Sequence, residues 1–147
     1  MEEHELLQAK EELAKLPLLG PVMWLLSRDA STRDARVAEL DWRFMPPLIL
    51  DQLQIVTRFD VPWGFSTWAY VSEEVHQRLC GPDGQLSPHE WHSGSIPWLI
   101  EACAPFGGWE EVAQSAVNAM NVLGPAHVWV KTPEGLELRT ISPNVQR

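Results

Sequence analysis

The segment His89-Glu90-Trp91-His92 sets two imidazoles three residues apart. A helical turn with that spacing can ligate a metal, but zinc-protease chemistry needs the pair four apart with a Glu directly after the first His. No third ligand is evident, so the pair reads as surface histidines on a short turn, and no metal is expected. Cys103 offers a thiol, which is a nucleophile only as the thiolate. No Lys, Arg or His adjoins it in sequence, so it reads as a buried, inert side chain. His127 alternates with apolar residues and reads as a half-buried core histidine. A phosphate-binding loop, a dinucleotide fingerprint and a Gly-x-Ser-x-Gly elbow are all absent from the sequence. Arg28, Arg33, Arg36, Arg43 and Arg58 hold five of the eleven basic residues. Asp29, Asp34, Glu39 and Asp41 are interleaved with them. A basic patch steering an acidic partner and plain local neutralisation both fit that pattern.

The elements that carry these residues follow from periodicity. Leu6, Ala9, Leu13 and Leu16 share one face of a helix over 2–16, with Glu11 and Lys15 as an i,i+4 pair and Pro17 as its stop. This helix packs on the domain or on a second subunit. Pro21 opens a second helix through Leu26. A polar loop follows, Val37 to Leu40 returns to helix, and Pro46-Pro47 predicts extended backbone. Leu48 to Thr57 and Gly64 to Val71 read as an antiparallel hairpin turning at Asp60-Val61-Pro62. Ser72 caps a short helix that Gly81 ends, and Ser87-Pro88-His89-Glu90 reads as a capping box. Ile96 to Cys103 is a third strand. Trp109, Val112, Ala113, Ala116, Val117 and Met120 mark the best helix, ended by Gly124. Ala126 to Lys131 and Leu136 to Ile141 form a last hairpin around Pro133-Glu134-Gly135. The order predicts an α+β domain with a mixed or antiparallel central sheet flanked by helices.

The chain has 147 residues, enough for one core and too few for two. It is 45% hydrophobic and 21% charged, which excludes a disordered or collagen-like chain. Its net charge of -9 is opposite in sign to that of a phosphate-binding nucleic-acid partner, so none is expected. Two distant cysteines make no disulfide framework. The N-terminus is acidic rather than signal-like, and the apolar run Leu16 to Leu26 is too short to span a bilayer. A cytoplasmic protein without a transmembrane segment is the expectation. Eight Trp against one Tyr predict large flat apolar surfaces, in a core or at an interface.

One pattern is more specific. Leu19-Gly20, Val22, Trp24-Leu25, Pro46, Pro62, Trp68-Ala69, Ser72, Trp91, Ser93-Gly94, Trp98, Ile100 and Ala104-Pro105-Phe106-Gly107 follow in register. The chain resembles the RTX-toxin-activating lysine acyltransferases from Leu19 to Gly107. Trp91-x-Ser93-Gly94, then Trp98 and Pro105-Phe106-Gly107, are the most distinctive pieces.

The resemblance implies a GNAT-like fold, often dimeric, in one acyltransferase-like domain. It also implies transfer of a fatty acyl group from acyl carrier protein to a lysine of a client protein, without metal or free coenzyme. That family's catalytic Asp falls on Glu101 here. Its catalytic His falls on Thr32, and the Arg after it on Arg33. A threonine hydroxyl is no base at neutral pH. A carboxylate flanked by Ile100, Ala102 and Cys103 can act as one when desolvated, and pairing with an arginine is the equally weighted alternative. Thr32 would then donate a hydrogen bond, with His92 as a substitute imidazole. Arg28, Arg33 and Arg36 would receive the acidic carrier. The rival reading is a catalytically silent relative that binds the carrier or a client; a plain assembly factor is a third.

Overall fold

The structure, a computed structural model, describes residues 2–82 and 84–144. Helix α1 (Glu3–Lys15) buries no residue. Its Leu6, Leu7 and Leu13 stay exposed. Lys15 pairs with Asp51 at 2.5 Å across to the chain beyond α3 (Met45–Ile49), rather than with Glu11. Helix α2 (Leu19–Ser27) buries Leu19, Val22, Leu25 and Leu26.

Between α2 and α3 the chain makes a loop, a 3-10 turn at Val37–Glu39 and a π-helical turn at Leu40–Phe44. Pro46 and Pro47 are not extended: both sit in the first turn of α3. A proline there sacrifices no helical hydrogen bond, because those N–H groups have no partner in the helix anyway. Strand β1 (Leu53–Arg58) therefore starts five residues later than the sequence suggests. Strand β2 (Val61–Val71) already contains Val61 and Pro62. The turn is Phe59-Asp60, with φ of 53° and 62°. Positive φ at both central residues matches the twist of the flanking strands.

Helix α4 (Glu73–Leu79) is capped by Ser72, whose hydroxyl accepts from the Val75 N–H. Strand β3 (Ile96–Cys103) leads to α5 (Trp109–Ala119). Asn121, at φ 54°, ends that helix region in the left-handed conformation before Gly124 is reached. Strands β4 (Ala126–Thr132) and β5 (Gly135–Ile141) form the final hairpin.

The sheet order is β1-β2-β3-β4-β5. All neighbours are antiparallel except β3 and β4, which run parallel. This is the mixed α+β sheet of a GNAT-like fold. Helices α2 and α3 cover Phe65 and Cys103, and α4 covers Val71, Trp91 and Trp98 on the same face. Helix α5 covers Trp68, Leu99 and Val128 on the other. Among the described residues no helix is long and apolar enough to cross a membrane.

The distinctive motif is largely a clasp on β2. Trp91 and Trp98 are buried, and the Trp91 indole N–H donates to the Trp42 carbonyl at 3.0 Å. The Ser93 N–H donates to Tyr70 O at 2.8 Å, and its hydroxyl donates to Glu90 O at 2.9 Å. A Cβ on Gly94 would lie 2.4 Å from Val71 O, so only glycine fits. Gly107 turns the chain at φ +96°. Pro105 is half-buried, whereas Phe106 is exposed and stacks between Trp24 and Trp63.

Candidate active site

Strand residues alternate faces, and antiparallel partners share a face. In β3 that alternation is broken once. Thr67 pairs with Glu101, but Trp68 pairs with Leu99, leaving Ile100 as an extra, bulged residue. Ile100 and Glu101 both turn away from α5. Glu101 and Cys103 thus reach the face of α2 and α3. Bulges of this kind re-aim side chains beside active sites.

Glu101 meets Arg43, held out by the π-helical turn. Arg43 Nε donates to Glu101 Oε1 at 2.9 Å, and a second guanidinium nitrogen donates to Oε2. The third nitrogen donates to Glu39 Oε1 at 3.0 Å. All three side chains are less than a quarter exposed. Hydrogen bonding to Glu101 raises the Arg43 pKa above its ordinary value. Glu39 is lowered, first by the Arg36 N–H that it accepts. A carboxylate has about four lone-pair sites. Arg43 takes two on Glu101, so the remaining two can accept a proton or a substrate donor.

Cys103 lies two residues on. Burial, with Asp29 and Glu101 nearby, pushes its thiol up to about 12. It is a neutral, inert thiol, as its sequence context suggests. The Thr32 hydroxyl lies beside it and donates to Leu26 O at 2.8 Å. Thr32 therefore stands beside Cys103 and makes no hydrogen bond to Glu101. Thr67, the register partner of Glu101, is fully buried, and its hydroxyl has no hydrogen-bond partner among the described residues.

His92 is elsewhere. Its Nδ1 lies 3.1 Å from Gln52 Oε1, and its ring lies 5.4 Å from that of Tyr70. The Tyr70 hydroxyl donates to Met120 O at the end of α5, on the face opposite Glu101. Gln52, 2% exposed, also donates to Trp68 O and Trp91 O, so it fixes this corner. Sequence reasoning missed Gln52 and gave Arg43 no role beyond the basic cluster. The four-residue step from Glu39 to Arg43 was the one available signal.

Arg28, Arg33 and Arg36 are exposed and make no ion pair among the described residues. Their acidic neighbours are engaged locally: Asp29 accepts from Ser31, and Glu39 from Arg43. Arg28 lies over the Trp24 ring at 5.3 Å.

A groove completes the site. Strands β3 and β4 share one ladder pair, Trp98 with His127, and then part. The opening is a cavity of about 910 Å³ walled by Ile100–Ala102, Val128–Thr132 and the start of α5. Glu101 lies on its rim. A carboxylate beside a cleft between diverging strands suits proton transfer during addition to a carbonyl.

The model of the RTX toxin acyltransferase family matches residues 11–135. The chain belongs to that family. A lysine-acyltransferase of Vibrio cholerae is 33% identical over 96 residues, covering 65% of this chain and 63% of that protein. A protein-lysine myristoyltransferase of Escherichia coli is 30% identical over 92 residues, covering 63% and 54%. A leukotoxin-activating lysine-acyltransferase of a Pasteurella haemolytica-like species is 31% identical over 90 residues, covering 61% and 54%. The chain thus spans 54% to 63% of the length of these acyltransferases.

Proposed function

We propose that the chain is a protein-lysine acyltransferase that takes a fatty acyl group from the thioester of an acyl carrier protein. The observation that carries this reading is Glu101, set by a bulge on the rim of the groove where β3 and β4 part. A neutral lysine amine of a client attacks the thioester carbonyl. The nitrogen's proton passes to a free lone pair of Glu101, the C–S bond breaks, and Glu101 returns that proton to the departing carrier thiolate, which leaves as the thiol. Arg43 is the positioning residue for the carboxylate. Thr32 contributes packing and its hydroxyl, and His92 is too far round the sheet to share the step with Glu101. The exposed Arg28, Arg33 and Arg36 offer the acidic carrier its landing surface. The uncovered leucines of α1 offer the contact for a homodimer. A cytoplasmic site of action follows from the carrier.

A second reading has its own support. Arg43 engages both Glu101 oxygens, and the resemblance puts Thr32 at the family's His position. A silent relative would bind carrier or client without turnover. The test is mass spectrometry of a client protein encoded beside this chain's gene, after incubation with acyl-loaded carrier. An acyl mass on a client lysine supports the enzyme. Carrier binding without any acyl mass overturns it in favour of the silent relative.

A further inference from the structure

A second cavity lies on the other side of the bulge. It measures about 210 Å³ and is walled by Trp42, Leu79, Leu86, Trp91 and Ile100. Glu101 and Arg43 line it too, so Glu101 belongs to both this cavity and the groove. The groove wall is about half polar and carries Lys131, Glu134 and Arg139. The smaller cavity is mainly apolar, and its floor is held by buried groups: Leu86 and Trp91 belong to the packed core under α4. Two substrates of different polarity would meet at Glu101, which together with Ile100 lines both spaces.

We propose that this cavity is the acyl-chain pocket and that it sets an upper limit on chain length. The inference rests on the acyltransferase reading and names its acyl group. Linear alkyl chains gain free energy by leaving water for apolar walls, in proportion to the area buried. An apolar cavity of about 150 Å³ holds a six-carbon ring. At 210 Å³ this pocket holds a chain of roughly eight carbons. The myristoyl chain in the name of the E. coli relative is longer than that. Ile100, displaced by the bulge, forms the wall between chain and groove. The chain's first carbon then lies at Glu101, where the carbonyl must be for transfer.

The test uses S-acyl-N-acetylcysteamine thioesters from acetyl to palmitoyl, titrated against the full chain. Trp42 and Trp91 line the pocket, so tryptophan emission reports occupancy. Affinity should rise roughly fourfold per added methylene to about octanoyl and then level off. Leu86→Ala enlarges the pocket and should move the levelling point up by about two or three carbons, the side chain removed. Leu86→Trp fills it and should move the point down. Melting curves show which variants fold; Leu79→Ala replaces Leu86→Ala if the latter does not. Affinity that climbs unbroken to palmitoyl, or a levelling point indifferent to these variants, overturns the pocket. Acyl transfer to a client is measured in parallel. A shifting levelling point with no transfer to any client keeps the pocket and sinks the acyltransferase reading. Transfer whose length preference ignores Leu86 does the reverse.

Discussion

An unbroken β3 would point Glu101 at α5, because each step along a strand changes face. The bulged Ile100 sends it instead to Arg43. Removing Arg43 leaves a mostly buried carboxylate without its two charged donors. Arg43→Met should lower unfolding free energy by about 2–4 kcal/mol, measured by urea denaturation. Arg43→Lys keeps the charge but loses the fork, and should recover only part of that stability. If Arg43→Met is neutral, the ion pair is not holding Glu101. The resemblance singles out Glu101, in the strand before Ala104-Pro105-Phe106-Gly107. Arg43 was not legible as its partner, because 58 residues separate the pair and no local pattern links them. The bulge was equally hidden, because Leu99-Ile100-Glu101-Ala102 reads as a plain strand. His92 was a reasonable imidazole on sequence, but its segment pairs with the far edge of β2.

Two elements depend on small clasps. The Ser93-Gly94 turn locks to the end of β2, and Gly94→Ala would drive a methyl into Val71 O and the Ser72 backbone. Its cost should be about 1–3 kcal/mol, read as a lower melting temperature; an unchanged melting curve would remove the motif's structural role. At the vertex of the groove, the Trp98 indole N–H donates to His76 Nδ1 at 3.0 Å, and the His76 and His127 rings lie 4.6 Å apart. Cys80 Sγ lies 3.8 Å from His76 Nε2. Burial, then the neighbouring His76, lowers the His127 pKa below its ordinary 6.5. As pH falls, the unfolded chain takes up this proton first, so stability present above the ordinary value declines below it. The decline ends beneath the lowered folded value. His127→Phe should flatten the fall in melting temperature between about pH 7 and pH 5; an unchanged pH profile would exclude this pair as its source. Most element types were readable from periodicity, including β3 and the last hairpin. The errors fell where local signals compete. Pro46-Pro47 can open a helix as well as block one, the hairpin turns at Phe59-Asp60 rather than Asp60-Val61-Pro62, and Asn121 takes the positive φ at a helix end that the sequence assigns to Gly124.

At the scale of the molecule, one hydrogen-bonded pair joins β3 to β4, and everything beyond it is groove. The GNAT-like class was legible from element order and resemblance. The parting of the strands was not, because periodicity records faces and says nothing of spacing between strands. The same split places a wide, half-polar space and a small apolar one on either side of Glu101. That arrangement would give the proposed acyl transfer its two approaches, and it makes the Glu101 carboxylate the test of that proposal. The decisive measurement is the rate at which a client lysine gains acyl mass from loaded carrier, with native chain, Glu101→Asp and Glu101→Gln compared. The carboxylate should matter more than its length, so Glu101→Asp should retain measurable transfer. Glu101→Gln should slow it by about 10²–10⁴-fold while still binding carrier. Transfer by Glu101→Gln at the native rate would contradict the account.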